Sequence, residues 1–168
     1  MGNTAALAVL SALWTQTICL AEEASTPVIS VLVYDYAGVP ADVSNAGLRE
    51  TKRILESGGI QVAWVNCLEA PDSLPVERTC REPPGPLMLV LHILTQGATR
   101  RRTEPGAAGF AVLPAYGCFG SSAGVFNDRV KQLGATAPEA AVLGHVIAHE
   151  LGHLLLGTGG HSAGGIMK

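Results

Sequence analysis

The sequence predicts an α+β fold: a mixed, mostly parallel sheet of about five strands with two main helices. Three observations predict it. A strand–helix–strand run spans 28–65, short β-rich segments follow at 87–94, 109–113 and 123–127, and an apolar helix runs from 140 to about 156. A chain of 168 residues suits one domain, and 48% apolar against 15% charged residues is enough to build a sizeable core.

Taken in order, the N-terminus reads as an export leader. Ala5 to Trp14 is an apolar stretch of h-region length, and Cys19-Leu20-Ala21 places cleavage after Ala21. The stretch is short of the ~20 residues a transmembrane helix needs, so no stable membrane anchor is expected. Residues 1–21 are then a signal peptide and 22–168 a single exported domain, periplasmic or secreted. Val28 to Tyr34 is aliphatic and β-branched, a buried strand. A helix capped by Asp42 follows to about Ser57, with Val43, Ala46, Gly47, Thr51, Ile54 and Leu55 on its inward stripe. Gly58-Gly59 stops it, and Ile60 to Val65 is the next strand. A β-α-β unit of this kind implies a parallel pair with a crossover helix.

Leu68 to Pro86 holds five prolines and no periodicity, and is read as a long surface loop. Cys67 and Cys80 flank part of it and could pair in an oxidising compartment, leaving Cys118 over. Leu87 to Leu94 is a central strand. Arg100, Arg101 and Arg102 read as a solvated loop, as do Tyr116 and Asp128 in their turns. Gly109 to Leu113, closed by Pro114, has the look of an edge strand that could take an extended peptide. Ala123 to Asn127 is the last strand. Thr136 and Glu139 form a capping box, with Pro138 in the first turn of the closing helix, which ends at Gly157. The net charge of -3 gives no basic footprint for nucleic acid.

The closing helix carries His149-Glu150-Leu151-Gly152-His153, an H-E-x-x-H pattern. Residues four apart share a helix face, so His149 and His153 can aim two imidazoles at one metal ion. Glu150 stands beside them as general base for a metal-activated water. Zn2+ favours nitrogen ligands and four-coordination with one position open in a catalytic site, so a third protein ligand is needed. His161, beyond the glycine-rich break 157–160, is the candidate. Burying His145, His149, Glu150 and His153 in an apolar helix is costly unless they are paired or ligate a metal, which sharpens the metal reading. His145, one turn before His149, reads as a packed or supporting histidine.

His149-Glu150-x-x-His153, then Gly157, His161 and Gly165-Ile166-Met167, resembles the metzincin clan of zinc metallopeptidases. The segment 149–167 is also similar to a group of bacterial exported proteins with matrixin-like zinc motifs. The resemblance implies a metzincin-like zincin N-terminal subdomain across about 28–168. It implies His149, His153 and His161 as zinc ligands, Glu150 as general base and Met167 as the methionine of the turn below the metal. Peptides or proteins would be the substrates. Gly157 falls one residue later than the clan's glycine, with Leu156 in that place, and His161 falls two later. The sequence ends one residue past Met167, so the expected domain lacks the clan's usual C-terminal subdomain. The alternative expectation is a catalytically inactive, zinc-stabilised exported binding module.

Overall fold

The computed structural model describes residues 27–68, 74–98, 104, 106–113, 121–157 and 159–167. The leader, Arg100 to Arg102, Pro114, Tyr116 and Cys118 lie outside the described residues.

Five strands form one sheet: β1 (Val28–Asp35), β2 (Gln61–Asn66), β3 (Met88–Leu94), β4 (Gly109–Val112) and β5 (Ser122–Phe126). Their spatial order is β2-β1-β3-β5-β4. The first three neighbouring pairs are parallel, while β4 runs antiparallel to β5 at the edge. β1 reads as a continuous apolar run because both its faces are covered: Val31, Leu32 and Val33 are all buried.

Four helices are described: α1 (Ala41–Ser57), α2 (Leu74–Arg81), α3 (Asn127–Leu133) and α4 (Glu139–Leu156). α1 and α4 cover one sheet face, where Val31, Val33, Leu91, Ile93 and Val125 meet Leu55, Leu143, Ile147, Leu151 and Leu154. The two helices touch closely. A Cβ on Gly144 would lie 2.7 Å from the Gly47 carbonyl oxygen, and the buried Thr51 hydroxyl lies 3.0 Å from both the Gly47 and Gly144 carbonyls. On the other face Tyr34, Tyr36 and His92 stack, and the Tyr34 hydroxyl donates to the Cys80 carbonyl at 2.6 Å. A disulfide joins Cys67 to Cys80. Among the described residues no helix is long and apolar enough to cross a membrane.

Four expectations need correction. The segment 68–86 is not all loop, because it contains α2. Pro75 falls in its first turn, where a missing N–H costs no helical bond. Its far end is tied down by the disulfide and Tyr34, which are tertiary contacts that local periodicity does not reveal. The stretch 127–133, read only as strand end and turn, is α3, and the Asp128 carboxylate accepts the Gln96 N–H at 3.0 Å. The capping box does not form. A 3-10 turn over Gly134–Thr136 consumes Thr136, and Pro138 precedes α4 without a side-chain cap bond. Likewise Pro40, not Asp42, precedes α1, and Asp42 sits in the first turn near the positive helix end.

The disulfide closes a loop across a sequence separation of 13. Reduction, or Cys67→Ser, is expected to lower unfolding stability by about 3 kcal/mol. Urea denaturation with and without reductant measures this; coincident curves would show that closing this loop contributes nothing.

Candidate metal centre

Helix α4 sets His149 and His153 one turn apart, and Gly157 ends it. Gly157 is left-handed (φ 63°), and its N–H returns to the His153 carbonyl. The reversed chain runs back beneath the helix. Ser162 N–H donates to the Met167 carbonyl at 2.7 Å, closing a turn that holds Gly165 at φ 78°. Met167 is buried against Gly152, where a Cβ would sit 2.5 Å from the methionine sulfur. Only a bare position on α4 lets that turn come so close.

The path brings a third imidazole to the first two. His149 Nε2 lies 3.1 Å from His153 Nε2 and 3.2 Å from His161 Nε2. The three rings can each offer one nitrogen within a mutual 4.8 Å. His149 Nδ1 lies 2.6 Å from the Ile166 carbonyl. A carbonyl only accepts, so Nδ1 carries the proton and Nε2 presents its lone pair. That single lone pair then faces two ring nitrogens, and at most one N–H can point along it. A cation removes the conflict. Four-coordinate ligands about 2.0–2.1 Å from a zinc ion stand roughly 3.3 Å apart, close to the spacing here. Three imidazoles suit zinc, and also copper, nickel or iron. The residues therefore fit a divalent transition metal.

Glu150 occupies the same turn on a neighbouring face and is 7% exposed. Its side chain lies against the start of β4, where a Cβ on Gly109 would stand 2.7 Å from Glu150 Cγ and Oε1. Burial away from water disfavours the carboxylate and raises its pKa from 4.5 to about 7. His145 differs from the expectation of a packed histidine. Its side chain is 54% exposed, and Nδ1 lies 2.8 Å from the Ala141 carbonyl. α4 is buried all round over Glu150–Leu154, but one turn earlier only Leu143, Gly144, Ile147 and Ala148 are buried, and His145 lies on the open side. The burial cost therefore falls on Glu150 and His153, with His149 half-buried and His161 exposed.

All these groups line one cleft of about 960 Å³, bounded by Ile54 and Val146 on the helix side and by Ala107, Ala108 and Phe110 on the β4 side. A second hollow of about 640 Å³, at the carboxyl ends of β1 and β2, is lined by no histidine, cysteine or glutamate among the described residues. Sequence reasoning named the 109–113 strand as a peptide-binding edge but missed Gly109 as the seat of Glu150, and missed Ile54, Glu104 and the Ile166 carbonyl as parts of the site. Only Gly109 left a signal, since a glycine opening a short strand marks a close approach. Comparison with protein-family models, curated proteins and solved structures returns no match.

The purified chain is expected to bind about one zinc ion, and His161→Ala to weaken binding by more than about 100-fold, the upper range for losing a mere orienting partner. Equal zinc affinity in a competition titration would remove His161 from the ligand set. A second expectation concerns the metal-free protein. The unfolded chain releases the Glu150 proton near 4.5, while the folded one holds it to about 7. In that window the folded state carries the extra proton, so stability falls as pH rises, by at most about 3 kcal/mol. With chelator present, the difference between the parent and Glu150→Gln should show this slope; parallel stability–pH curves would assign it elsewhere.

Proposed function

We propose that this protein is an exported, zinc-dependent peptide-bond hydrolase with a metzincin-like fold. The observation that carries the reading is the meeting of three imidazole nitrogens and a buried carboxylate in one cleft beside an edge strand. His149, His153 and His161 would hold the metal. When bound, zinc supplies Lewis acidity toward a carbonyl group and toward water. Glu150, in the same turn as two of the imidazoles and lining the same cleft, would take a proton from the attacking water and pass it to the leaving amine. Its seat against Gly109 holds it next to β4. Among the described residues that strand pairs with β5 alone, so its outer edge can align an extended peptide by strand addition. The apolar walls, Ile54, Val146 and Phe110, exclude water from the peptide once it lies in the cleft. Export is supported by the Cys67–Cys80 disulfide, a bond that persists in oxidising compartments.

Glu150→Gln keeps the size of the side chain and removes the base. Hydrolysis of a mixed peptide library should fall by about 100-fold or more while zinc stoichiometry and folding stay intact. Undiminished hydrolysis in this variant would sink the mechanism. An absence of hydrolysis in the zinc-loaded parent would instead favour a metal-stabilised binding module.

A further inference from the structure

The hollow of about 640 Å³ shares no lining residue with the metal cleft, and its chemistry is different. It lies between α1 and the carboxyl halves of β1 and β2, and its size is that of a small-molecule site, roughly 300–1,000 Å³. The topology opens it. β1 and β2 are neighbours, but β1 connects to α1 on one sheet face, while β2 connects to α2, whose end is tied to Tyr34 on the other. Parallel strands whose connections part to opposite faces leave a crevice at their carboxyl ends. Val33, Val39 and Trp64 give the hollow an apolar wall that is continuous with the core. Its positive charge comes from α1, where Arg49 and Lys52 both line it. Residues three apart on a helix are surface neighbours, with Cβ atoms about 5–6 Å apart. Two long cationic arms therefore start side by side and can close on one anion. Lys52 stands 3.7 Å from Glu56, both side chains nearly half exposed, and such a surface pair contributes little. Asp35 is the carboxylate of the described lining, and both its oxygens serve its own loop. Oδ1 accepts the Ala37 N–H at 3.0 Å and Oδ2 the Val39 N–H at 2.8 Å.

We infer that this hollow binds a small organic carboxylate with an apolar body, at a site separate from the metal centre. The inference does not depend on the peptidase reading. The carboxylate sits between the Arg49 and Lys52 heads, where the guanidinium offers a planar fork of donors and the ammonium a point charge. The body covers Val33, Val39 and Trp64. A neutral analogue keeps that packing and loses the charge-assisted hydrogen bonds, which separates the two by about tenfold in affinity. An amine of the same shape meets two like charges.

The test uses the full chain with Trp14→Phe, which leaves Trp64 as its only tryptophan. Trp64 fluorescence follows titrations with 4-phenylbutyrate, 4-phenyl-1-butanol and 4-phenylbutylamine, which share one apolar body and differ in the head, and with inorganic phosphate. The acid is expected to bind saturably and about tenfold tighter than the alcohol, with the amine weakest. Its advantage over the alcohol should shrink toward unity in the double variant Arg49→Gln, Lys52→Gln. Both side chains are exposed, so their replacement does not open the core. Equal affinity for acid and alcohol overturns the inference, as does an acid advantage that survives in the double variant, because the acid then sits elsewhere. No response of Trp64 to the acid also overturns it. Inorganic phosphate binding as tightly as the acid would reveal a bare anion site and overturn the role given to the apolar wall.

Discussion

Helix α4 can lie where it does because three of its contacts are made by bare backbone. At Gly144 it meets α1, where any Cβ would collide with the Gly47 carbonyl and the Glu50 side chain. At Gly152 it meets the Met167 turn. At Gly109 the bare position belongs to β4, and the side chain that uses the space is Glu150. Overpacking such contacts costs on the order of 1–3 kcal/mol each, because a close-packed interior has little slack. The consequence is geometric. One helix is pressed at once against a neighbour helix, a turn and an edge strand, so its histidines and carboxylate share a fixed frame. The parallel strands supply the stiff floor, and the site sits where that floor ends.

The same packing sets the electrostatics. Glu150 is driven out of water by its seat against Gly109, and desolvation alone moves its carboxyl toward neutrality. His153 is buried beside it with its Nε2 turned to His149. A polar cluster half-satisfied in an apolar setting is costly, and a divalent ion is the simplest single group that answers all three imidazoles. Metal affinity and folding stability would then share one free energy. The Ile166 carbonyl joins the two parts of the centre: it fixes the His149 tautomer and belongs to the turn that follows His161.

Much of this was legible in the sequence where the signal was local. The apolar run of β1, the stripe on α1, the glycine after α4 and the i, i+4 histidines each follow from a short-range period, and the structure has them within a residue or two. The edge position of the 109–113 segment also followed, from the short strand and its following proline. What failed depended on tertiary contacts. α2 sits in a proline-rich stretch and is tied at its end by a disulfide and Tyr34. The Thr136–Glu139 box had the right spacing, but a 3-10 turn took Thr136 out of reach. His145 was misjudged because an apolar helix need not be buried all round along its whole length: the Met167 turn and β4 cover the far side only near 150–154, and His145 lies before them.

The spacing between the second and third histidines shows why geometry outranks pattern. With two more residues between them than the metzincin motif has, His161 could have been carried away from the other two rings. Its Nε2 instead lies 3.2 Å from His149 Nε2. The extra length is absorbed where it is cheapest. Gly157 turns left-handed without a Cβ penalty, and the chain re-enters a turn closed by the Ser162–Met167 hydrogen bond. Both ends of the 157–167 segment are thus anchored to α4, one through the His153 carbonyl and the other through Gly152 and His149. With its ends fixed, the segment needs only to place one imidazole, and several lengths can do that. Ligand spacing in such a loop is therefore a weaker guide than the contacts that pin its two ends.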